Sequence, residues 1–320
     1  MSKFVGRKGV LGIAVEASRG TAVAPTFWIP WTTMSYRDVV EEAREEQAFG
    51  VLADSDSKFV TQKMAEGEIE SQIHDKALGA VLTGVLGASP STSGSNPYTH
   101  TYTLSNSNQP KSVSLYWKDT DRSIIYPLGT ADTFQISVEP SGIVGYTVGY
   151  KSKVERDFTS QTPNLTSLGS KFLHQHLQFR LADTIGGLSG ATALSLKKLE
   201  LNINKNATFD SVMGTVEPED ILAQQITVEG SLELNLEDDT YKDYMLNGTY
   251  KAMEIYLYRS TSSSLKIQLP RVDFSEWEDD YPLNEIAKQT INFKANYDAA
   301  NALDIISTCE LINAQASGSY

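Results

Sequence analysis

Short segments in which apolar and polar residues alternate recur along most of the chain, and they restrict its fold more than any other feature. Alternation with a period of two places every second side chain on one face of a β-strand. Leu232 and Leu234, for example, share one face, while Glu233 and Asn235 share the other. Strands of this kind are typical of antiparallel sheets with one solvent-exposed surface. Eight segments are predicted strands: 111–117, 132–138, 145–150, 198–204, 226–236, 252–258, 265–269 and 289–295.

Helical periodicity is confined to three short stretches. Residues 74–86 carry an apolar stripe with helical spacing that stops at Gly87. Residues 239–246 begin with acidic side chains, as helices often do, and residues 217–223 predict a single helical turn. The chain is therefore predicted to be all-β, an antiparallel β-sandwich or barrel with one or two short flanking helices.

Four further stretches are predicted to lie outside the sheets. Residues 89–96 are Ser-rich and 186–191 are Gly-rich, so both are expected to be loops. Residues 38–56 contain a dense acidic cluster and are expected to form an arm or hairpin. Residues 314–320 have little apolar content and are expected to be a mobile tail.

The two halves of the chain contain a similar pattern 163 residues apart. Glu66-Gly67 begins an alternating stretch that leads into the first predicted helix, and Glu229-Gly230 begins one that leads into the second. A further aromatic and aliphatic strand follows each helix. The pattern predicts an internal duplication, with a first β domain at 1–165 that includes an amino-terminal arm, and a second at 166–320. Each has the usual size of a domain.

Charge and cysteine content exclude several classes of protein. The 320 residues include 27 Lys and Arg and 40 Asp and Glu, a net charge of −13. Proteins that grip phosphate backbones need a basic surface, so DNA is expected to pass near this chain without being held. The single Cys309 excludes a disulfide framework and a cysteine-ligated zinc site. No apolar run near the start reaches the length of a membrane span or a signal-peptide core. We therefore expect no membrane partner, and we expect the chain to be made in the cytoplasm.

No set of residues predicts a catalytic, cofactor or metal site. His174 and His176 would share one face of a strand, a spacing that suits zinc, but no third ligand accompanies them and a polar strand face is the favoured interpretation. Three carboxylate clusters lack the alternating ligands of a calcium loop and are expected to be solvated or interfacial. They are Glu41, Glu42, Glu45 and Glu46; Glu237, Asp238 and Asp239; and Glu276, Glu278, Asp279 and Asp280. The tryptophans Trp28, Trp31, Trp117 and Trp277 are expected to anchor the core or a subunit interface.

The amino-terminal segment is the most specific motif. Glu16 is followed by Gly-Thr-Ala-Val-Ala-Pro at residues 20–25 and then by an apolar strand that ends at Pro30. Together with weaker matches further on, this order of motifs resembles the major tail tube proteins of long-tailed, siphovirus-like bacteriophages over most of residues 9–300. The weaker matches are 67–70 leading into 78–82, 100–104 before 112–115, 267–270, 272–274 and 290–295.

The resemblance implies a structural virion protein of the phage tail, assembled in the host cytoplasm, without catalysis or cofactor. Its copies would form closed rings that stack into a tube, in contact with the tape measure, terminator and distal tail proteins. An acidic channel would repel DNA phosphates and let DNA slide during ejection. Residues 38–56 and 89–96 would be clasps between rings. The sequence does not identify which side chains face the channel.

Rings of the family present six tube domains. Two domains in each chain would make a ring of three chains with pseudo-sixfold symmetry, which is favoured here, and a single enlarged domain would require six chains. A carbohydrate- or receptor-binding β-sandwich of a virion is the alternative function. A hydrolase that uses paired carboxylates is a third hypothesis, against which the lack of a catalytic arrangement counts.

Overall fold

Two long strands, β9 (Ser123–Val138) and β18 (Ser263–Asp280), organise the fold. The computed structural model describes residues 5–165, 168–316, 318 and 320. Its helices are α1 (Leu78–Leu86) and α2 (Thr240–Leu246). The other strands are β1 (Val10–Val15), β2 (Phe27–Ile29), β3 (Trp31–Met34), β4 (Arg37–Arg44), β5 (Lys58–Gln72), β6 (Ser91–Gly94), β7 (Tyr98–Tyr102), β8 (Val113–Lys118), β10 (Gly145–Ser152), β11 (Arg156–Asp157), β12 (Leu177–Ala182), β13 (Lys198–Asn204), β14 (Thr208–Asp210), β15 (Asp220–Leu222), β16 (Thr227–Asn235), β17 (Lys251–Ser260), β19 (Lys288–Ala295) and β20 (Thr308–Asn313).

One antiparallel sheet runs through both halves of the chain in the order β4–β5–β10–β9–β13–β16–β19–β18, with β3 beside β5 next to β4. We call it the eight-stranded sheet. The first part of β9 leaves it to pair with β8 and β11, and β8 continues to β1 and β2. The first part of β18 leaves it to pair with β17 and β20, which continue to β12 and to β7 and β6. We call these strands, which lie outside the eight-stranded sheet, the second layer. All of these pairs are antiparallel, so the predicted all-β antiparallel class is confirmed.

The main core is one continuous cluster of apolar side chains that includes residues from both halves, and a small separate cluster contains Leu128, Ala207 and Ile221. Strands with alternating apolar and polar residues contribute many of these side chains. In β13, for example, Leu199, Leu201 and Ile203 are buried, while the residues between them are partly exposed. Helix α1 contains no charged residue, and all nine of its residues are buried, whereas the sequence predicted only one apolar stripe. It ends at Gly87, as predicted, in the left-handed conformation that glycine adopts without strain.

The same set of strand pairings occurs in each half. β5, β10, β9 and β8 follow one another in the first half as β16, β19, β18 and β17 do in the second. The registers also agree, because Tyr150 lies opposite Gly67 and Phe293 lies opposite Gly230. The two glycines are those that the sequence aligned 163 residues apart. The halves are nevertheless joined closely, since β9 pairs with β13 and β7 pairs with β20.

The Gly-rich stretch 186–191, predicted as a loop, lies largely in a 3₁₀ helix, Ile185–Gly190. Two further local predictions were wrong. Residues 89–96, predicted as a loop, contain β6, whose Ser and Thr residues suit an edge strand and whose Thr92 hydroxyl lies 2.9 Å from the ring of His100. Residues 217–223, predicted as a helical turn, contain β15, because Ile221 packs with Leu128 and Ala207. In both places tertiary contacts outweigh the local signal.

The predicted domain boundary and tail lie partly outside the described residues, since positions 166, 167, 317 and 319 are not among them. Tyr320, at the end of the tail, packs against the body of the protein. Its ring lies 5.0 Å from the ring of Phe27 and 4.9 Å from that of His100, and its hydroxyl donates to the carbonyl of Lys76 at 2.6 Å. A tail of low apolar content gave no sign of this contact.

Both aligned glycines leave no room for a side chain, which gives a test of the repeated geometry. A Cβ at Gly67 would lie 2.5 Å from the carbonyl oxygen of Ser35, and φ there is +156°. A Cβ at Gly230 would collide with the carbonyl of Glu200. We expect Gly67→Ala and Gly230→Ala each to lower the free energy of unfolding by about 1–3 kcal/mol, measured by urea denaturation.

Gly186→Ala is the matched control, because no atom outside the neighbouring residues lies within 4 Å of a Cβ at Gly186. If Gly67→Ala and Gly230→Ala were as stable as this control, the close approach of the strands would be wrong.

Candidate functional site

The two histidines that the sequence placed on one strand face lie in a 3₁₀ turn, His174–His176, before β12. The prediction of a strand face is therefore wrong. The turn forms because the backbone N–H of Leu173 donates to Nδ1 of His176 at 3.0 Å and the N–H of His176 donates to the Leu173 carbonyl. Burial lowers the pKa of His176. Within the described part of the chain, no three His, Cys, Asp or Glu side chains come together in a way that could hold a metal.

The first of the three carboxylate clusters lies apart from the other two, which are neighbours because Lys242 of α2 pairs with Asp239 and lies over the ring of Trp277 in β18. Residues 41–46 lie on or beside β4 in the hairpin with β5, where Glu42 forms an ion pair with Lys58. Asp238 precedes α2, and hydrogen bonds from the side chain of Thr240 and from its backbone N–H, the latter at 2.9 Å, lower the pKa of Asp238. Residues 276–280 form the end of β18.

The four tryptophans do not line a common cleft. Trp28 is buried with its ring edge against Tyr116. Trp31 packs against Trp117, with ring centroids 5.4 Å apart. Trp277 is half-buried and donates to the side chain of Gln289 at 3.1 Å. This dispersal supports anchoring roles over a sugar-binding platform.

Cys309 lies on β20 and is buried. Burial raises the pKa of its thiol to about 12. Because the thiolate is the reactive form of cysteine, Cys309 contributes packing here and no nucleophile at neutral pH.

Glu16, which the sequence singled out only as part of the opening motif, is a buried structural anchor. Its Oε2 accepts hydrogen bonds from the Gly20 N–H at 2.7 Å and the Ser112 hydroxyl at 2.6 Å. Its Oε1 accepts from the Ser114 hydroxyl at 2.8 Å and the Leu128 N–H at 2.9 Å. The carboxylate therefore joins β1 to β8 and β9. The chain turns at Gly20 so that its N–H reaches this carboxylate. A buried Glu that satisfies four donors explains why the motif begins with this residue.

The surface that remains is the face of the eight-stranded sheet that points away from the core, which we call the open face. Directly paired residues share a face, and one such row crosses six strands. It consists of Glu70, Thr147, Gln135, Asn202, Glu229 and Lys294. A parallel row consists of Gln72, Gly145, Ser137, Glu200, Ser231, Asn292 and Ser275. The open face is thus polar over its whole width.

Acidic side chains predominate on the open face. Its carboxylates include Glu66, Glu68, Glu70, Glu200, Glu229, Glu233, Asp273, Glu278 and Asp280. Its cations are Arg37, Lys151, Lys198, Lys288 and Lys294. Lys198 pairs with Glu200 at 2.8 Å and Lys288 with Glu233 at 3.1 Å. No ion pair within the described residues reaches Glu68, Glu70 or Glu229.

Two shallow grooves of about 360 and 420 Å³ cross the open face at Gly67 and at Gly230. Nine of the ten positions that line the first have a counterpart in the second, and the exceptions are the bulged residues Asp132 and Glu276. The first is lined by Ser35, Arg37, Glu66, Gly67, Glu68, Asp132, Thr133, Gly149, Tyr150 and Lys151. The second is lined by Glu200, Asn202, Glu229, Gly230, Ser231, Ser275, Glu276, Asn292, Phe293 and Lys294. The grooves are a consequence of the glycines, and they hold no arrangement of residues that suggests catalysis.

Removal of Glu16 should destabilise the fold. Glu16→Ala leaves four donors without their acceptor, so we expect the free energy of unfolding to fall by roughly 3 kcal/mol or more, measured by urea denaturation. Glu16→Gln is expected to be intermediate, because an amide nitrogen would face donors. Glu46→Ala, at an exposed site, should change stability by less than about 0.5 kcal/mol. Equal stability of Glu16→Ala and Glu46→Ala would contradict the anchoring role.

Comparison with known proteins adds one match. A family model described as phage tail tube protein matches residues 6–297 of this chain. A comparison with curated proteins found no match. No helix in the described part of the chain is both long enough and apolar enough to span a membrane.

Proposed function

The chain belongs to the phage tail tube protein family, and from this premise we propose that its copies assemble into stacked rings whose channel is lined by the open face. The protein is then a structural component of the virion tail. The acidic character of the open face is the observation that carries the proposal.

Electrostatics support the open face as the channel wall. Like charges repel, and a surface lined by one sign of charge extends its field into a confined space. Carboxylates such as Glu68, Glu70 and Glu229 would keep DNA phosphates away from the wall, so DNA slides without binding. In the second layer the charges are matched instead, because Arg180 pairs with Glu254 at 2.5 Å and Lys266 pairs with Glu310.

We propose that the two halves are two tube domains, 1–165 and 166–320, that arose by duplication. The repeated strand registers and the matching grooves support this division. Three chains would then supply the six tube domains of a ring, and we favour three chains over six.

The distal part of the β4–β5 hairpin, where residues 58–64 of β5 pair with β4 and not with β10, extends beyond the other strands of the sheet. This part of the hairpin is the proposed contact between rings. Its tip exposes apolar residues that a soluble monomer gains nothing from exposing: Phe49 is 47% exposed, Val51 66% and Leu52 fully. Burial of these side chains against the next ring would stabilise the stack. The other proposed partners are the tape measure, terminator and distal tail proteins, and assembly is proposed to occur in the host cytoplasm. We propose no catalytic role.

Electron microscopy of the purified full-length chain tests the proposal. We expect rings or tubes with a central hole, and threefold symmetry of each ring in class averages. Sixfold symmetry of whole chains would contradict two tube domains per chain. A chain that stays monomeric at all concentrations and salt conditions would contradict ring formation, and binding in a glycan screen would then favour the carbohydrate-binding alternative.

Reversal of charge on the open face should slow DNA passage. In phage that carry Glu68→Lys, Glu70→Lys and Glu229→Lys together, tails should still form, while DNA ejection triggered in vitro should slow because phosphates now bind the wall. Fluorescence of a dye bound to released DNA gives the rate. Phage with Asp121→Lys, Asp157→Lys and Glu219→Lys, at exposed sites off the open face and away from the β4–β5 hairpin, are the control. Unchanged ejection in the first set would count against repulsion by this face.

A further inference from the structure

The eight-stranded sheet contains a junction between the two halves, and this junction is a guide to how separate copies would join. At the junction the end of β9 pairs with β13, and Leu201 and Asn202 lie opposite Ile136 and Gln135. The strand edge of β9 in the first half is thus covered by β13 of the second half.

The end of β18 holds in the second half the position that the end of β9 holds in the first. Trp277 lies opposite Ile291 of β19, as Phe134 lies opposite Val148 of β10. In the described part of the chain, residues 275–280 pair on one side only. The outward edge of β18 therefore corresponds to the edge of β9 that β13 covers.

The strand edge formed by β3 and β4 holds in the first half the position of β13 in the second. Arg37 lies opposite Glu66 of β5, as Asn202 lies opposite Glu229 of β16. Residues 34–39 likewise pair on one side only among the described residues. In the part of the chain that the structure describes, the eight-stranded sheet thus has two complementary unpaired edges, one at each end of the sheet.

We propose that the end of β18 pairs with β3 and β4 of a second copy in the register of the internal junction, so that Arg37 of one copy lies opposite Glu278 of the next. The inference rests on the ring proposed above and names its contact. The transferred register sets Arg37 against Glu278 because these residues correspond to Asn202 and Gln135. Both are exposed and of opposite charge, so pairing them across the contact is favourable.

Exposure of the aromatic side chain just after β18 agrees with a missing neighbour. Val138, at the end of β9, is 4% exposed because Leu199 of β13 lies opposite it. The corresponding residue after β18 is Tyr281, which is 67% exposed. In the proposed register Met34 of the second copy lies opposite Tyr281 and covers it.

Charge exchange in the full-length chain tests the register. Arg37→Glu and Glu278→Arg should each raise the protein concentration needed for assembly about tenfold or more, because each places like charges opposite one another. The double variant should return it to within about threefold of the wild type. Arg37→Glu combined with Glu229→Arg is the control, since Glu229 lies on the same open face away from the contact, and it should not restore assembly.

Disulfide formation gives a second measurement that does not depend on charge. Arg37→Cys with Glu278→Cys should yield covalent oligomers on oxidation of assembled protein, ending at the chain number of one ring. Arg37→Cys with Asp280→Cys, one residue pair out of register on the same face, should yield far fewer, because diagonal neighbours are too distant for a disulfide. Asn202→Cys with Gln135→Cys lies at the internal junction of one chain. This pair should form a disulfide within the chain, so the mass of the oxidised product should stay that of a single chain.

The outcomes separate this inference from the proposed function. Wild-type rings combined with failed charge rescue and no Arg37→Cys/Glu278→Cys cross-link would overturn the register and leave ring formation intact. A wild-type chain that never assembles would overturn the proposed function, and the inference with it.

Discussion

The pairing of strand backbones is the constraint on which the rest of this structure depends, because each buried N–H and C=O group must find a partner. β9 and β18 satisfy it by changing partners along their length, so that one continuous backbone belongs to both layers. The layers cannot slide past each other without breaking ladder hydrogen bonds. The side chains between the layers, such as Phe134 and Phe293 at 1% exposure, are therefore held in one arrangement.

Buried polar groups connect segments that the ladders do not. Asp75, at the approach to α1, accepts hydrogen bonds from the Ser170 N–H at 2.9 Å and from the Ser263 hydroxyl at 2.7 Å. Its own carbonyl accepts from the side chain of Asn313 at 2.7 Å. Asp75 thus joins the connection between the halves to the start of β18 and the end of β20, as Glu16 joins β1 to β8 and β9. Such buried networks specify one arrangement of the segments because every member is satisfied.

Local alternation predicted the strands that have one wet face, and long-range contacts decided the rest. β13 lies where the sequence predicted it because its apolar and polar residues alternate without interruption. The continuity of β9 was not predictable, since the bulge at Pro127 to Gly129 interrupts the alternation. β15 was missed because its one buried residue, Ile221, gives no periodic signal. The open face emerged only when the strand order was known, since alternation defines two faces and only tertiary packing decides which is covered.

A ring built by repeating the internal junction would have halves that match in backbone but differ in charge. Position for position, the first groove carries Arg37 and Glu68 where the second carries Asn202 and Ser231. The strand registers demand equivalence of the backbone, whereas nothing in the ladders demands equal side chains on a solvent-facing surface. The channel charge would then repeat once per chain, not once per half. The proposed duplication within one chain would thus allow the two wall segments to diverge, which six identical single-domain chains could not do.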